Sequence, residues 1–501
     1  MEVNAIDETH RTDTAITTEH PSGSPTSLAW APRLWGVLFV CCFALFLDAL
    51  DVSMVSVALP SIGADLALST TQLQWVVTGY VLTFGGLLLL GGRIADLLGR
   101  RRVFLVALAV FAAASLMGAV VDSGILLIVS RVLKGIAAAC TAPAAMSIVT
   151  TTFREGKDRN KALSIFAIFG ACGYSFGLIF SGFLTELGWR WTFIMPAPVA
   201  IGVLIAGYFL IPRHKPTGNS GFDVLGALTL TSGLLLGVYS IVTLPESDHL
   251  SMSLGTLAAS ILLLASFIAI EKKVRYPLIR LGIFHNRPVV RANLIKVALL
   301  GSFLSFQFIM TLYLQTVLGW SPLQMALALA PTGVMVMIIS PLTGRLVTRY
   351  GPIRLIMISL GSLSAAFVVF LVFSNTNDPS YAVHLLPSVI LMGVGFGFGV
   401  SPTIAQGTSG VADSEQGLAS GLINTSGQVG GAIVLACVTA LISAGAGATA
   451  SVDAGINQFR PGIFFITAVV IAGLAVASSA YWFKEKPGKT RQSQRPLSHR
   501  R

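Results

Sequence analysis

The chain has 501 residues, 54% hydrophobic and 11% charged, with a mean hydropathy of +0.79 and a net charge of +11. A soluble domain carries about 25% charged residues, so the composition excludes an ordinary water-soluble protein. The five cysteines, Cys41, Cys42, Cys140, Cys172 and Cys437, all lie in apolar runs, which excludes an extracellular disulfide framework.

A polar tail, residues 1–33, precedes the first apolar run. A secretory signal would begin near the terminus, so this run is read as a retained helix. Crossing a bilayer takes about 20 mainly apolar residues. Fourteen runs qualify: 34–60, 72–92, 103–121, 125–150, 162–184, 192–211, 224–244, 252–271, 292–317, 323–343, 355–374, 383–404, 419–446 and 461–483. None alternates with a period of two, which excludes a β-barrel. The fold class expected is all-α integral membrane.

The first run contains 44-ALFLDALDVSMVSVALP-60, with Asp48 and Asp51 three residues apart and so on one helix face. A charge at the bilayer centre costs on the order of 3 kcal/mol, and intramembrane acids tend to face a cavity and serve a function. Asp51 lies about 14 Å from the outer end of this helix and Asp48 about 18 Å. The fourth run carries Arg131 and Lys134, about 9 and 14 Å from the same surface. Two acids and two bases thus sit at overlapping depths. Two readings stay open: a permanent salt bridge locking helix 1 to helix 4, or an acid that takes and releases a proton. The second is preferred, because burial disfavours a charged carboxylate and a nearby cation favours it. A small movement of the cation would then switch loading and release.

The loop after run 2, 92-GRIADLLGRRR-102, recurs after run 10 as 344-GRLVTRYGPIR-354. Gly92, Arg93, Gly99 and Arg102 match Gly344, Arg345, Gly351 and Arg354 at a constant offset of 252. Two related six-helix halves are expected, with two helices inserted between them. The segments are a tail (1–33), the first half (34–211), the inserted pair with linkers (212–291), the second half (292–483) and a basic tail (484–501). Internal repeats of this kind mark alternating-access transporters. Of 33 Lys and Arg, 28 fall in the tails and in the loops after even-numbered runs, and only Arg190 and Arg460 in the opposite loops. This positive-inside asymmetry places both termini in the cytoplasm. The clusters 100-RRR-102 and 484-KEKPGKTRQSQRPLSHRR-501 are read as topology signals and lipid-headgroup contacts rather than a nucleic-acid surface.

The histidines at 10, 20, 214, 249, 285, 384 and 499 form no helical pair with metal spacing, so no metal site is expected. The tail's 488-GKT-490 lacks the first glycine and preceding strand of a phosphate loop. No nucleophile with a base and orienter is present, so no enzyme and no cofactor is expected. Lys296, near the start of run 9, is expected to snorkel to the headgroups. Phe303, Phe306, Gln307, Tyr313 and Gln315, with Asn424 and Gln428 on helix 13, are candidates to line a substrate pocket.

The chain resembles the major facilitator superfamily, specifically its fourteen-helix drug:proton antiporters. Segment 91-GGRIADLLGRRR-102 is similar to motif A, 50-LDVSMVSVALP-60 to motif D, 131-RVLKGIAAA-139 to motif B, and 173-GYSFGLIFSG-182 with 189-WRW-191 to motif C. Runs 313-YLQ-315, 319-GWSPLQ-324 and 417-GLASGLINTSGQVGG-431 resemble the family's second half. The resemblance implies that Asp51, the motif D acid, couples protons. Asp48 is additional and would share the proton or contact a cationic substrate. It also implies a cytoplasmic latch at Gly92, Arg93, Asp96, Gly99, Arg100 and Arg101, closed in the outward-facing state. Gly173, Gly177, Ser181 and Gly182 are small residues suited to close helix packing. Three positions depart from the pattern: Leu178 replaces a proline, Lys134 a glutamine and Pro196 an asparagine.

The function implied is export of amphipathic drugs, antibiotics or toxic metabolites in exchange for protons, driven by the proton motive force. An alternative is a narrow metabolite exporter or symporter of the same fold. The partners expected are a small-molecule substrate, protons and the bilayer of a bacterial inner or plasma membrane, with the chain acting as a monomer.

Overall fold

Two helix starts reveal the repeat more closely than the loop motif does. Ser69 accepts from the Gln72 amide at 3.3 Å while the Gln72 side chain accepts from the Ser69 amide at 2.9 Å. Ser321 and Gln324 form the same capping box at 3.2 and 2.9 Å, again 252 residues on. The helices so begun also end alike, at Gly99 with φ +95° and Gly351 with φ +80°. Glycine adopts that left-handed backbone without steric cost.

The computed structural model describes residues 30–154, 156–213, 223–244, 250–275, 277–373, 380–409, 411, 416–448 and 455–482. The basic tail 484–501 and residues 1–29 of the N-terminal tail lie outside these. Among the described residues fourteen helices are long and apolar enough to cross a membrane: α1 (Pro32–Asp65), α2 (Thr70–Leu98), α3 (Arg100–Val120), α4 (Gly124–Thr152), α5 (Lys161–Leu187), α6 (Trp191–Leu210), α7 (Val224–Thr243), α8 (Leu250–Lys273), α9 (Arg287–Val317), α10 (Pro322–Tyr350), α11 (Pro352–Val372), α12 (Tyr381–Thr408), α13 (Gln416–Ala444) and α14 (Ile456–Ala480). No strand occurs among the described residues. The chain is a multi-pass membrane protein. Most helices extend a few residues beyond the apolar runs, because polar residues at the helix ends continue the backbone hydrogen-bond ladder into the interface.

Packing repeats as the sequence does. In the first six helices α1 packs on α5 and α6, α2 on α4, and α3 on α4 and α6. Eight helices later, α9 packs on α13 and α14, α10 on α12, and α11 on α12 and α14. Two extensive pairings join the sets, α2 with α13 and α5 with α10, and α1 makes smaller contacts with α9 and α10. Helices α7 and α8 pack on each other through Ser260 Oγ, which donates to the Gly233 carbonyl at 2.7 Å, and a Thr243–Ser253 hydroxyl pair at 2.7 Å. Helix α7 in turn packs on α2 and α13, where a Cβ at Gly86 would stand 3.0 Å from Thr231 Oγ1.

The two ends of the bundle differ. At the end away from the arginine-rich loops the six-helix sets touch directly. Gln315 Nε2 donates to the Val57 carbonyl at 2.8 Å and Ser321 Oγ to Glu186 Oε1 at 3.0 Å. Gly182 lies so close to α10 that a Cβ would stand 2.7 Å from Ala326 Cβ. Gln315 reaches across because α9 finishes in a π-helical turn, Tyr313–Val317, a feature that the sequence pattern did not signal. Toward the arginine-rich end α5 and α10 border a cavity of about 300 Å³ lined by Ser164, Ile168, Met337, Ser340, Pro341 and Ser401.

Alkaline phosphatase inserted between α5 and α6 should be active, and the same enzyme fused after Arg213 should be silent. The reverse pattern of activity would invert the orientation read from the arginines.

Candidate functional site

The site starts from a geometric consequence of helix 1. Residues three apart differ by about 60° in direction around a helix of 3.6 residues per turn. Asp51 faces α4, and the Tyr80 hydroxyl of α2 donates to the Asp48 backbone carbonyl at 3.5 Å. Asp51 is fully buried and accepts from both cations of α4: Arg131 Nη1 on Oδ2 and Lys134 Nζ on Oδ1. Asp48 shares in neither ion pair. It is 7% exposed, and its Oδ2 is buried without a hydrogen-bond partner. The sequence placed two acids opposite two bases; the fold gives both bases to one acid.

Surrounding groups hold the cations. Arg131 Nε donates to the Val76 carbonyl at 3.0 Å, and its guanidinium lies 4.7 Å from the centre of the Tyr80 ring. Val76 and Tyr80 are one turn apart on α2, so one helix face supplies both contacts. Lys134 Nζ lies 4.7 Å from the Phe111 ring centre and 5.3 Å from that of Phe193. Aromatic faces attract cations and are worth more where water is excluded. Tyr80, Phe111 and Phe193 were not singled out from the sequence. Tyr80 lies about 15 Å along α2 from Thr70, the depth estimated for Asp51, so depth matching would have found it.

The small residues of α5 set how closely α1 approaches. A Cβ at Gly173 would stand 3.1 Å from Ala49 Cβ and one at Gly177 would stand 2.6 Å from the Leu50 carbonyl oxygen. Ser181 Oγ donates to the Met54 carbonyl at 2.6 Å. Gly173, Gly177 and Ser181 thus bind the helix carrying Asp51, while Gly182 packs on the other set. Leu178, where the family pattern has proline, is buried.

At the arginine-rich end, Asp96 in the last turn of α2 pairs with Arg100 at 3.2 Å, both partly exposed. Arg101 donates to the Tyr208 carbonyl at the end of α6. Gly91 meets the Ala139 carbonyl of α4, and a Cβ at Gly92 would lie 3.6 Å from Pro143 Cβ. Gly99 supplies the turn, and Arg93 is half-buried on α2. At the opposite end Arg190 pairs with Asp65 at 2.7 Å and with Asp122. These bonds, chiefly that to Asp65, raise its guanidinium above the ordinary value.

The candidate lining residues separate into two groups. Gln307 accepts a hydrogen bond from the Tyr174 hydroxyl across the two sets, the Phe303 ring lies 5.8 Å from that of Tyr174, and Gln428 lies against Gly85 of α2. Gln315 also crosses, as described. Phe306 and Tyr313 instead pack on Phe370, 5.3 and 5.4 Å between ring centres, within the second set. Asn424 is half-buried on α13. Lys296 corrects an expectation. It does not snorkel but is 4% exposed, because α9 begins at Arg287 and places it about 14 Å along the helix.

A family model described as Major Facilitator Superfamily matches residues 41–435. The puromycin resistance protein of Streptomyces alboniger is 35% identical over 89% of this chain and 91% of its own length. The cephamycin export protein of Amycolatopsis lactamdurans is 35% identical over 81% and 85%. The crystal structure of the POT family transporter PepTSo superposes with a TM-score of 0.64 at 16% identity, covering 91% of this chain and 99% of that one.

Neutralising Asp51 would strand two buried cations, so Asp51→Asn should lower stability by about 3–5 kcal/mol. Lys134→Met should cost less, because the Arg131–Asp51 pair stays matched. Thermal unfolding of the purified variants orders them; equal losses would show that Lys134 and Arg131 do not share the charge of Asp51.

Proposed function

The chain belongs to the Major Facilitator Superfamily, and on that premise we propose that it is a proton-coupled exporter of antibiotics or other amphipathic toxic molecules, working by alternating access in a bacterial cell membrane with both termini cytoplasmic. The observation that carries the coupling is the occupancy of Asp51. A carboxylate has two oxygens to offer, and here Arg131 holds one and Lys134 the other. Both cations favour the charged carboxylate and so oppose its protonation. Loading a proton on Asp51 is therefore favoured once a cation withdraws, which a shift of α4 against α1 would bring about. Proton binding and helix movement become one event.

Asp48 supplies the second half of the exchange. Its unpartnered Oδ2 is a place for the proton, or for a cationic group of the substrate, while Asp51 is occupied. Two close carboxylates titrate as a pair, so the proton belongs to the unit formed by Asp48, Asp51, Arg131 and Lys134. The contacts through Gln315, Ser321 and Gly182 support a bundle closed at its outer end. In that state Asp96 pairs with its neighbour Arg100, and the motif A latch across the halves belongs to the opposite, outward-facing state. The proton motive force supplies about 2.3 kcal/mol per charge for each 100 mV.

The names of the two relatives each specify one antibiotic, which favours a second reading, a narrow exporter of a single class. Efflux from cells lacking their own pumps separates the readings, using a lipophilic dye, puromycin and a cephamycin as probes. The protein should lower accumulation of at least one probe, and a protonophore or Asp51→Asn should abolish that. Export that survives both would remove proton coupling through helix 1.

A further inference from the structure

Lys296 plays no part in the coupling unit, yet it is the one cation within the apolar runs of the second half. Helices α9 to α14 contain neither Asp nor Glu, and no carboxylate among the described residues pairs with Lys296. An unpaired cation at this depth is costly, and such groups mark ligand or ion pathways.

Two observations place it at the interface between the halves. Eleven residues make close to three helical turns, so Lys296 shares a face of α9 with Gln307, which bonds to Tyr174 of the first half. The lysine stem also lies along Gly427 of α13, where a Cβ would stand 2.8 Å from its Cγ and 3.2 Å from its Cε. The next residue, Gln428, packs on Gly85 of α2. A glycine on α13 thus leaves a groove that the lysine stem occupies. Its surroundings are polar rather than acidic: Ser426 Oγ donates to Asn293 Oδ1 at 2.6 Å one turn away, and Thr425 Oγ1 has no partner.

We infer that Lys296 is an anion-recognition group at the interface between the halves, taking a carboxylate-class group of the transported molecule. The inference rests on the export reading for what is transported, but not for the site itself. It adds an ammonium on α9 to the carboxylates that α1 carries in the first half. A molecule carrying both an amine and an acid matches that arrangement better than a plain lipophilic cation. A lysine binds such a group as a compact charge with three donors.

The test uses a rhodamine with a free carboxylate and its methyl ester. Binding to the purified full-length protein is read by fluorescence polarisation. Transport is read in proteoliposomes under an imposed proton gradient. The wild type should prefer the free acid in binding. Lys296→Met, which keeps the stem's bulk, should reduce the acid-to-ester preference by about tenfold or more, and Lys296→Arg should retain it. An unchanged ratio in Lys296→Met, or equal loss of both probes, overturns the inference. If the acid binds through Lys296 but neither probe is transported, the site stands and the export reading fails for these molecules. If the ester is exported while the acid neither binds nor competes, export stands and the anion site is rejected.

Discussion

A carboxylate held out of water between two cations, as Asp51 is between Arg131 and Lys134, fixes the relation of α1 to α4. Each charge pays for desolvation only if its partners stay in place, and removal of one partner leaves the others uncompensated. The rest of the first six-helix set serves that condition. Glycines on α5 bring that helix against α1, α2 offers a carbonyl and an aromatic face to Arg131, and Phe111 and Phe193 enclose Lys134. Asp51, Arg131 and Lys134 are each 1% exposed or less, so a displacement of any one of them is felt as a change in helix packing.

The two halves share a skeleton but not a charge distribution. Capping boxes at Ser69 and Ser321, turn glycines at 99 and 351, and the eight-helix shift of every strong pairing show a common frame. Onto it the first half places two acids and two bases deep in the bundle, and the second half a single base. A repeat preserves backbone geometry because capping and close packing demand particular residues at particular places. It leaves the cavity-facing positions free to diverge, and there the halves take different tasks.

Movement between the halves is constrained at α2 with α13 and α5 with α10, which run together across the interface. Small residues at these crossings, Gly85, Gly182 and Gly333, permit close contact with few interlocking side chains. Such contacts suit rigid-body rocking, in which surfaces tilt without repacking a core. The hydrogen bonds of Gln315 and Ser321 at one end are few and directional, a type of contact that breaks and re-forms without repacking a core.

The sequence by itself determined the class, the count of membrane helices and the repeat, because hydropathy over a bilayer thickness and glycine at a positive-φ turn are local requirements. It also brought Asp51, Arg131 and Lys134 to one depth, since helical rise is nearly constant. Tertiary structure alone decided how those charges pair. The 60° between Asp48 and Asp51 acquires meaning only once α4 lies against Asp51 and both of its cations reach that acid. The same holds for Lys296: its distance from a helix end depends on where α9 begins, and that start is set by Asn286–Arg287 rather than by the apolar run. Phe306 and Tyr313, equally apolar in sequence, turn into the second set's core while Phe303 and Gln307 meet Tyr174 of the first set. Composition specifies what must be buried; the neighbours of each helix decide against what it is buried.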